Sequence, residues 1–190
     1  GGYYDCAIWR ADELTIEGIG DDVRLTDMTC QGKAIFITVG NRITVRNLTF
    51  ARARVPDRNG AGIRAEGVDL RVEHSRFVNN ESAILATNSA RSRITLKDSQ
   101  FTDNGSCGPD RCSDAIAVGH IAELSVSDCA ISGTRGGDAI RSLAEPTTLI
   151  SNHIEDGQSG TAAFLGEWTA VGSHDLRQSV LARAPRQPGP

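Results

Sequence analysis

Two aspartates stand at matching positions before short apolar strands. Asp114 lies two residues before Ile116, and Asp138 lies two residues before Ile140, so the carboxylates are separated by 138 − 114 = 24 residues. Two carboxyl groups that lie close together repel one another, which raises the proton affinity of one of them, as a general acid requires. If the fold brings them together, the pair predicts acid–base chemistry of the kind that serves glycoside hydrolysis.

Positive and aromatic side chains accompany this pair. Arg64 and Arg141 each follow an inward-facing isoleucine by one residue, which predicts that both point outward on one face. Arg141 shares a strand with Asp138 and is a candidate catalytic residue. Arginines on a protein of negative net charge suit an anionic sugar chain. Further candidates for substrate binding are Arg64 itself, Asn59 in a glycine-rich turn, and the rings of Phe36 and Trp168.

Other interpretations of the same residues stay open. Asp114 and Asp138, with Asn59 or a loop carbonyl, could bind Ca²⁺, which prefers oxygen ligands. In a lyase, calcium would neutralise a substrate uronate while Arg141 or Arg64 assists proton abstraction. In a purely structural interpretation, each aspartate hydrogen-bonds its own turn and each arginine pairs with a neighbouring acid.

An internal repeat predicts the elements that position these residues. A β-branched or aliphatic residue, four further positions and a large apolar residue recur in Val45–Phe50, Val72–Phe77, Leu96–Phe101, Val126–Ile131, Leu149–Ile154 and Leu176–Leu181. A second short strand follows each of the first five copies. A period in the mid-twenties, with several short strands and no room for a helix, is typical of one rung of a parallel β-helix.

Stacked rungs place equivalent residues in columns about 4.8 Å apart. One predicted inward column contains Phe50, Phe77, Phe101, Ile131, Ile154 and Leu181, and a second contains Ile35, Ile63, Ile84, Ile116, Ile140 and Phe164. Ser75, Ser99, Cys129 and Asn152 are predicted to form a polar stack that hydrogen-bonds along the axis. The same geometry places Asp114 and Asp138 on adjacent rungs.

Surplus residues collect at two positions, between Phe50 and Ile63 and between Phe101 and Ile116. Both insertions leave the repeat at the same corner, where they form either the walls of a binding face or tolerated surface loops. Five cysteines include the pairs Cys6 with Cys30 and Cys107 with Cys112. Such pairing predicts disulfides and a secreted or periplasmic protein, the alternative being free thiols in a reducing cell.

Several segments resemble bacterial right-handed parallel β-helix proteins of the pectate-lyase-like superfamily, most closely an uncharacterised proteobacterial group. They are Leu14–Gly18, Cys30–Ala34, Val45–Phe50, Asn59–Ala65 and Ile154–Gly157. The resemblance implies an all-β, right-handed, single-stranded parallel β-helix of about six to seven rungs that acts on polysaccharides outside the cytoplasm. We expect residues 1–181 to form this domain and residues 182–190 to form a proline-rich tail.

The composition excludes other classes of protein. Twenty Lys and Arg residues against 24 Asp and Glu residues give a net charge of −4, which provides no basic field for nucleic acid or an anionic membrane. No apolar run is long enough to span a bilayer. The expected partner is therefore a polysaccharide, with the oligomeric state left open. The resemblance implies His at 114 and 138 and Lys at 141, so a glycan-binding or structural β-helix without catalysis is the alternative to a glycoside hydrolase or polysaccharide lyase.

Overall fold

Three parallel β-sheets run along the molecule, and each successive turn of the chain adds one strand to each sheet. The computed structural model describes residues 1–157, 160–168 and 174–182. Strands next to each other within a sheet come from consecutive turns and pair in parallel. The predicted all-β parallel β-helix is confirmed.

The strands are numbered in chain order and described here sheet by sheet. Sheet I contains β1 (Gly2–Tyr3), β4 (Arg24–Thr26), β7 (Thr49–Ala51), β10 (Arg76–Val78), β13 (Gln100–Thr102), β18 (Ala130–Ser132), β21 (His153–Glu155) and β24 (Val180–Ala182). Sheet II contains β2 (Ala7–Trp9), β5 (Ala34–Thr38), β8 (Ala61–Ala65), β11 (Ser82–Ala86), β16 (Ile116–Val118), β19 (Ile140–Ser142) and β22 (Glu167–Trp168). Sheet III contains β3 (Glu13–Glu17), β6 (Arg42–Arg46), β9 (Asp69–Glu73), β12 (Ser89–Lys97), β17 (Ile121–Ser127), β20 (Thr147–Ile150) and β23 (His174–Arg177). A small antiparallel hairpin pairs β14 (Ser106–Cys107) with β15 (Cys112–Ser113).

From β6 onwards, a single residue with positive φ makes each bend from sheet III into sheet I. These residues are Asn47, His74, Asp98, Asp128, Ser151 and Gln178, with φ between 47° and 55°. Asn, Asp and His tolerate this left-handed conformation better than most residues. The repeated bend keeps the rungs of equal shape, so that like residues lie above one another.

Aromatic stacking fills the centre of the molecule. Phe77 pairs in register with Phe50 on one side and Phe101 on the other, and all three side chains are 0% exposed. Ring centroids lie 5.1 Å apart for Phe50–Phe77 and 5.0 Å apart for Phe77–Phe101, with nearly parallel planes. The column continues through Ile131, Ile154 and Leu181, as predicted from the repeat.

The second inward column is confirmed in its middle and wrong at both ends. Ile63, Ile84, Ile116 and Ile140 lie in register. At the first end Phe36, not Ile35, pairs with Ile63. All five residues of β5 are buried, because the N-terminal residues cover its outer face, so the burial pattern of that strand does not show which side faces inward.

Phe164 marks the error at the other end. Its side chain is 61% exposed rather than inward. Arg141 pairs with Glu167, so the last rung of sheet II meets its neighbour two residues later in the sequence than predicted. The strand there is only Glu167–Trp168, which is too short to show an alternating pattern.

The predicted polar stack is present beside the phenylalanine column. The backbone N–H of Ser75 donates to Ser99 Oγ at 3.2 Å, and that of Cys129 donates to Asn152 Oδ1 at 3.0 Å. All four side chains of the stack are buried. Burial raises the pKa of the Cys129 thiol to about 12, so this free cysteine acts as a small polar core residue.

Both predicted disulfides are formed. Cys6–Cys30 attaches the N-terminal residues to the outer face of sheet II, where Cys30 packs with Ile37. Cys107–Cys112 closes the tip of the second insertion. Of the residues that the structure describes, none belongs to a helix that is long and apolar enough to cross a membrane. Residues 183–190 lie outside the described ranges, so the domain boundary after residue 181 stays a prediction.

Replacing Phe77 by alanine tests the stacked core. We expect Phe77→Ala to lower the free energy of unfolding by about 3–5 kcal/mol, because it removes a ring packed between two others and leaves a cavity. The exposed neighbour on the same strand gives the control, Arg76→Ala, which should change it by less than about 0.5 kcal/mol. Urea unfolding measures both, and equal effects of the two variants would show that the ring stack does not hold the rungs together.

Candidate functional site

Asp114 and Asp138 lie on adjacent rungs at the entry to β16 and β19. The two strands pair in register through Ile116 and Ile140. The backbone N–H of Asp138 donates to Asp114 Oδ1 at 2.8 Å. The helical stacking therefore brings the two predicted acids together, one above the other.

Each of these carboxylates is also bonded to the following rung. The N–H of Phe164 donates to Asp138 Oδ1 at 3.1 Å, as the N–H of Asp138 does to Asp114. The sequence left open a structural role in which each aspartate bonds its own turn. The structure instead shows each aspartate bonding the next rung, which ties three rungs of sheet II together at their entry.

Burial and neighbouring acids raise the pKa of Asp138. Asp138 is only 5% exposed. Burial, a side-chain hydrogen bond with Glu167 and the charges of Asp114 and Glu167 raise the pKa of Asp138 to about 6. Burial also raises the pKa of Asp114, although the N–H of Asp138 and the charge of Arg141 oppose that effect. A hydrogen bond between two carboxyl groups requires a proton, and the raised pKa of Asp138 supplies one below about pH 6.

Glu167 is a member of the site that sequence analysis missed. It pairs in register with Arg141, and Arg141 Nε lies 3.5 Å from Glu167 Oε2. Both side chains are about half exposed. The signal was the outward position 26 residues after Arg141, since 167 − 141 = 26 is close to one rung. Placing Phe164 inward hid it.

Arg64 lies in the same outward column as Arg141 but at a distance from the acids. Leu85 and Ala117 occupy the two rungs between them. Three rung spacings correspond to about 14 Å. Arg64 Nε donates to Glu66 Oε1 at 2.8 Å, and the same oxygen accepts from Lys33 Nζ at 2.9 Å. The structure therefore commits Arg64 to a separate ion-pair network.

The aromatic candidates are placed differently from the sequence prediction. Phe36 is 3% exposed, with its ring edge-to-face against Trp9 and Phe50 at 5.4 and 5.0 Å, so its predicted outward position is wrong. Trp168 pairs in register with the fully buried Ser142 and packs against the end of the core. Phe164 is instead the exposed aromatic residue beside Asp138.

Asn59 belongs to a loop contact rather than to the acid pair. Loop 1 (residues 52–60) and loop 2 (residues 103–113) both leave the helix between sheets I and II, as the insertions predicted. With its amide oriented to satisfy both neighbours, Asn59 donates to Asp57 Oδ1 at 3.2 Å and accepts from Arg111 at 3.3 Å. Arg58 Nη1 donates to the Cys107 carbonyl at 3.1 Å, and Arg111 Nη2 donates to the Asp57 carbonyl at 2.6 Å.

A cleft of about 360 Å³, open to solvent, lies between the tips of the two loops. Glu81, from the short rung between them, fixes loop 1. Its Oε2 accepts the N–H groups of Val55 and Gly60 at 3.0 and 2.8 Å. The insertions are therefore ordered, mutually bonded walls.

The structure does not support the alternative in which Asp114, Asp138 and Asn59 bind calcium. Within residues 1–157, 160–168 and 174–182, no three His, Cys, Asp or Glu side chains form a group that could hold a metal ion. Asn59 contacts Asp57 and Arg111. Chemically, the site can hold a proton on Asp138 below about pH 6, beside Glu167 and the half-exposed guanidinium of Arg141.

The raised pKa of Asp138 predicts how stability depends on pH. Its ordinary value is 3.8 and its folded value about 6, so the folded state binds more protons than the unfolded state between these values. Stability contributed by this group is therefore full below about pH 4 and is lost as the pH rises through 6. The Asp138→Asn variant can still accept the N–H of Phe164 and donate to Glu167. We expect it to be more stable than the parent by about 1–3 kcal/mol above pH 7 and to lose this advantage near pH 4.

Urea unfolding of the parent and Asp138→Asn from pH 4 to pH 8 measures this difference. Asp21→Asn, which changes an exposed carboxylate at the N-terminal end, is the matched control. A stability difference that stays constant across the pH range would contradict the shared proton.

The comparisons with known proteins bear on the fold. The family described as the right-handed β-helix region matches residues 15–111, just over half of the 190 residues. No curated protein and no solved structure matches the chain. The matched residues end before Asp114, so the match concerns the rungs that precede the acids. Together with the three parallel sheets, it shows that the chain belongs to the right-handed β-helix family.

Proposed function

We propose that this protein hydrolyses an acidic polysaccharide on the outer face of sheet II, with the Asp138–Glu167 pair as the general acid. The observation that carries the proposal is the nearly buried carboxyl group of Asp138, whose pKa is raised to about 6, beside half-exposed Glu167 and exposed Arg141 and Phe164. Stacked rungs give the protein extended surfaces along its axis, with seven strands in sheet II, and such a surface suits a long, linear polymer.

The proton is the chemical requirement of glycoside hydrolysis. As the bond between the anomeric carbon and the glycosidic oxygen breaks, an acid must protonate the leaving oxygen. A general acid works best with a pKa near the working pH, and Asp138 at about 6 meets that condition. Asp138 is nearly buried whereas Glu167 is half exposed, so Glu167 lies on the side of the pair that a substrate can approach.

Asp114 supplies the second carboxyl group. In its ionised form it accepts a proton from water while the water oxygen bonds to the anomeric carbon. Its Oδ1 already accepts the N–H of Asp138, which holds the carboxylate next to Asp138.

The neighbouring side chains suit an acidic sugar. The Phe164 ring is 61% exposed and offers an apolar face for a sugar ring. The Arg141 guanidinium contacts Glu167 at 3.5 Å and has donors left for a substrate carboxylate. Arginine stays protonated in proteins, which favours binding an anion over abstracting a proton, and therefore favours hydrolysis over β-elimination.

The two disulfides are compatible with the periplasm or the cell exterior, where such polymers occur.

A specific observation favours a second function, glycan binding without catalysis. Asp114 and Asp138 each use one carboxylate oxygen to hold the next rung. A structural requirement of this kind could preserve both acids in a protein that only binds its glycan.

An activity assay separates the two functions. We expect the protein to release reducing ends from at least one polymer in a panel of acidic polysaccharides. Asp138→Asn and Glu167→Gln should each lower the rate by about 100-fold or more, because a general acid contributes that much. Glu17→Gln, an exposed glutamate at the far end of the helix, should leave the rate unchanged.

Three outcomes would contradict hydrolysis. A parent protein that binds the polymers but releases nothing supports the binding function instead. Hydrolysis gives saturated products, so release of unsaturated uronates would show β-elimination instead. Equal rates for all the variants would place the chemistry elsewhere.

A further inference from the structure

An arginine cluster lies at the bend where the chain leaves sheet I, outside the site described above. Equivalent positions on three consecutive rungs hold Arg52, Asn79 and Asp103, each with a positive φ of 55–57°. Because these residues share a conformation and a place in the repeat, they form a column on the outside of the helix. Two further arginines, Arg54 and Arg135, bond into this column from rungs on either side of Asn79.

Arg54 and Arg135 converge on one neutral oxygen atom. Arg54 Nη2 donates to Asn79 Oδ1 at 2.6 Å, and Arg135 Nη1 donates to the same atom at 3.3 Å. Arginine side chains usually meet at a carboxylate or phosphate, whose charge matches theirs. Here two guanidinium groups meet at an uncharged amide.

Each carboxylate around the cluster already has other partners. Arg52 is fully paired, since its Nε and Nη2 both donate to Asp27. Arg135 Nη2 lies 3.5 Å from Asp103 Oδ2. Within the described part of the chain, Arg54 makes no ion pair, and the nearby Glu81 accepts the backbone N–H groups of loop 1. One positive charge is therefore left without a contacting carboxylate.

The electrostatic setting agrees with this geometry. Burial is the largest effect on Arg54 and lowers its pKa. Attraction by Glu81 opposes this and is stronger than the repulsion from Arg135 or from Arg52, each of which lowers the pKa further. A bound anion would relieve the repulsion between the arginines. Donors remain for it, because a guanidinium has five N–H groups and Arg54 makes three hydrogen bonds, to the Ala53 carbonyl and to the carbonyl and Oδ1 of Asn79.

We infer that Arg54 and Arg135, around Asn79, form a binding site for a carboxylate or sulfate group of an acidic glycan. The choice of a glycan as the source of the anion rests on the proposed function. Arg135 is only three residues before Asp138, so their backbones are within about 10 Å of each other. An acidic oligosaccharide held at Asp138 can therefore place a further charged group at this site.

Binding of defined oligosaccharides tests the inference. Calorimetric titrations use the Asp138→Asn protein, which should not consume its ligand, and four probes: an oligogalacturonide, a sulfated oligosaccharide of equal length, a neutral one, and inorganic sulfate. We expect at least one anionic oligosaccharide to bind about tenfold more tightly than the neutral one. Adding Arg135→Gln should remove that advantage and leave binding of the neutral probe unchanged.

Arg135→Gln is the first variant because the Arg135 guanidinium bonds to the side chains of Asn79 and Asp103. The Arg54 guanidinium also donates to two backbone carbonyls, those of Ala53 and Asn79, so its loss would disturb the backbone. Arg91→Gln, an exposed arginine on β12, is the control for loss of charge alone and should bind like the parent. An unchanged melting temperature of Arg135→Gln shows that the rungs remain intact.

Each contrary result has a defined meaning. Equal binding of the anionic probes with and without Arg135 would overturn the site, as would equal binding of anionic and neutral probes. Binding of inorganic sulfate alone would overturn the glycan as the source of the anion. If hydrolysis depends on Glu167 while Arg135→Gln binds normally, the inference fails and the proposed function stands. If no polymer is cleaved but Arg135-dependent binding persists, the proposed function fails and the anion site stands.

Discussion

Register between neighbouring rungs is the constraint on which the rest of this structure depends. Each rung satisfies its backbone hydrogen bonds only by pairing in parallel with the rungs above and below, about 4.8 Å away. Any side chain is therefore followed along the axis by its equivalent in the next turn. The stacked rings of Phe50, Phe77 and Phe101 use this repetition to fill the core, and the Ser75–Ser99 hydrogen bond uses it to satisfy buried polar groups.

The same repetition has an electrostatic cost at the site. Stacking places Asp138 beneath Asp114 and beside Glu167, so three acids occupy a small, partly buried region. Backbone N–H donors and Arg141 compensate only part of that charge. The remaining imbalance is met by a proton on Asp138. The fold thus loses stability above about pH 6, where Asp138 gives up this proton.

Sequence alone predicted the architecture because the repeat is regular where the core is largest. The phenylalanine column, the polar stack with Cys129, both disulfides and the adjacent rungs of Asp114 and Asp138 all follow from spacing. Prediction failed where alternation is lost. Both faces of Ala34–Thr38 are buried, and both Ile35 and Phe36 belong to the main core, so the pattern did not show that Phe36 rather than Ile35 lies in register with Ile63. At the last rung, Arg141 pairs with Glu167 and so sets the register. The strand there has only two residues, too few for an alternation of apolar and polar residues to predict that register. The arginines around Asn79 were missed because they meet across four rungs through long side chains, which no local spacing encodes.

The titration of Asp138 itself tests the central claim most directly. Carbon NMR of the isotopically labelled carboxyl group follows its ionisation in the folded protein. The shared proton predicts a midpoint near 6 in the parent chain and a lower one in Glu167→Gln, which removes a neighbouring charge. A midpoint close to the ordinary value of 3.8 in the parent chain would show that Asp138 is fully ionised at neutral pH, and the proposed general acid would be lost.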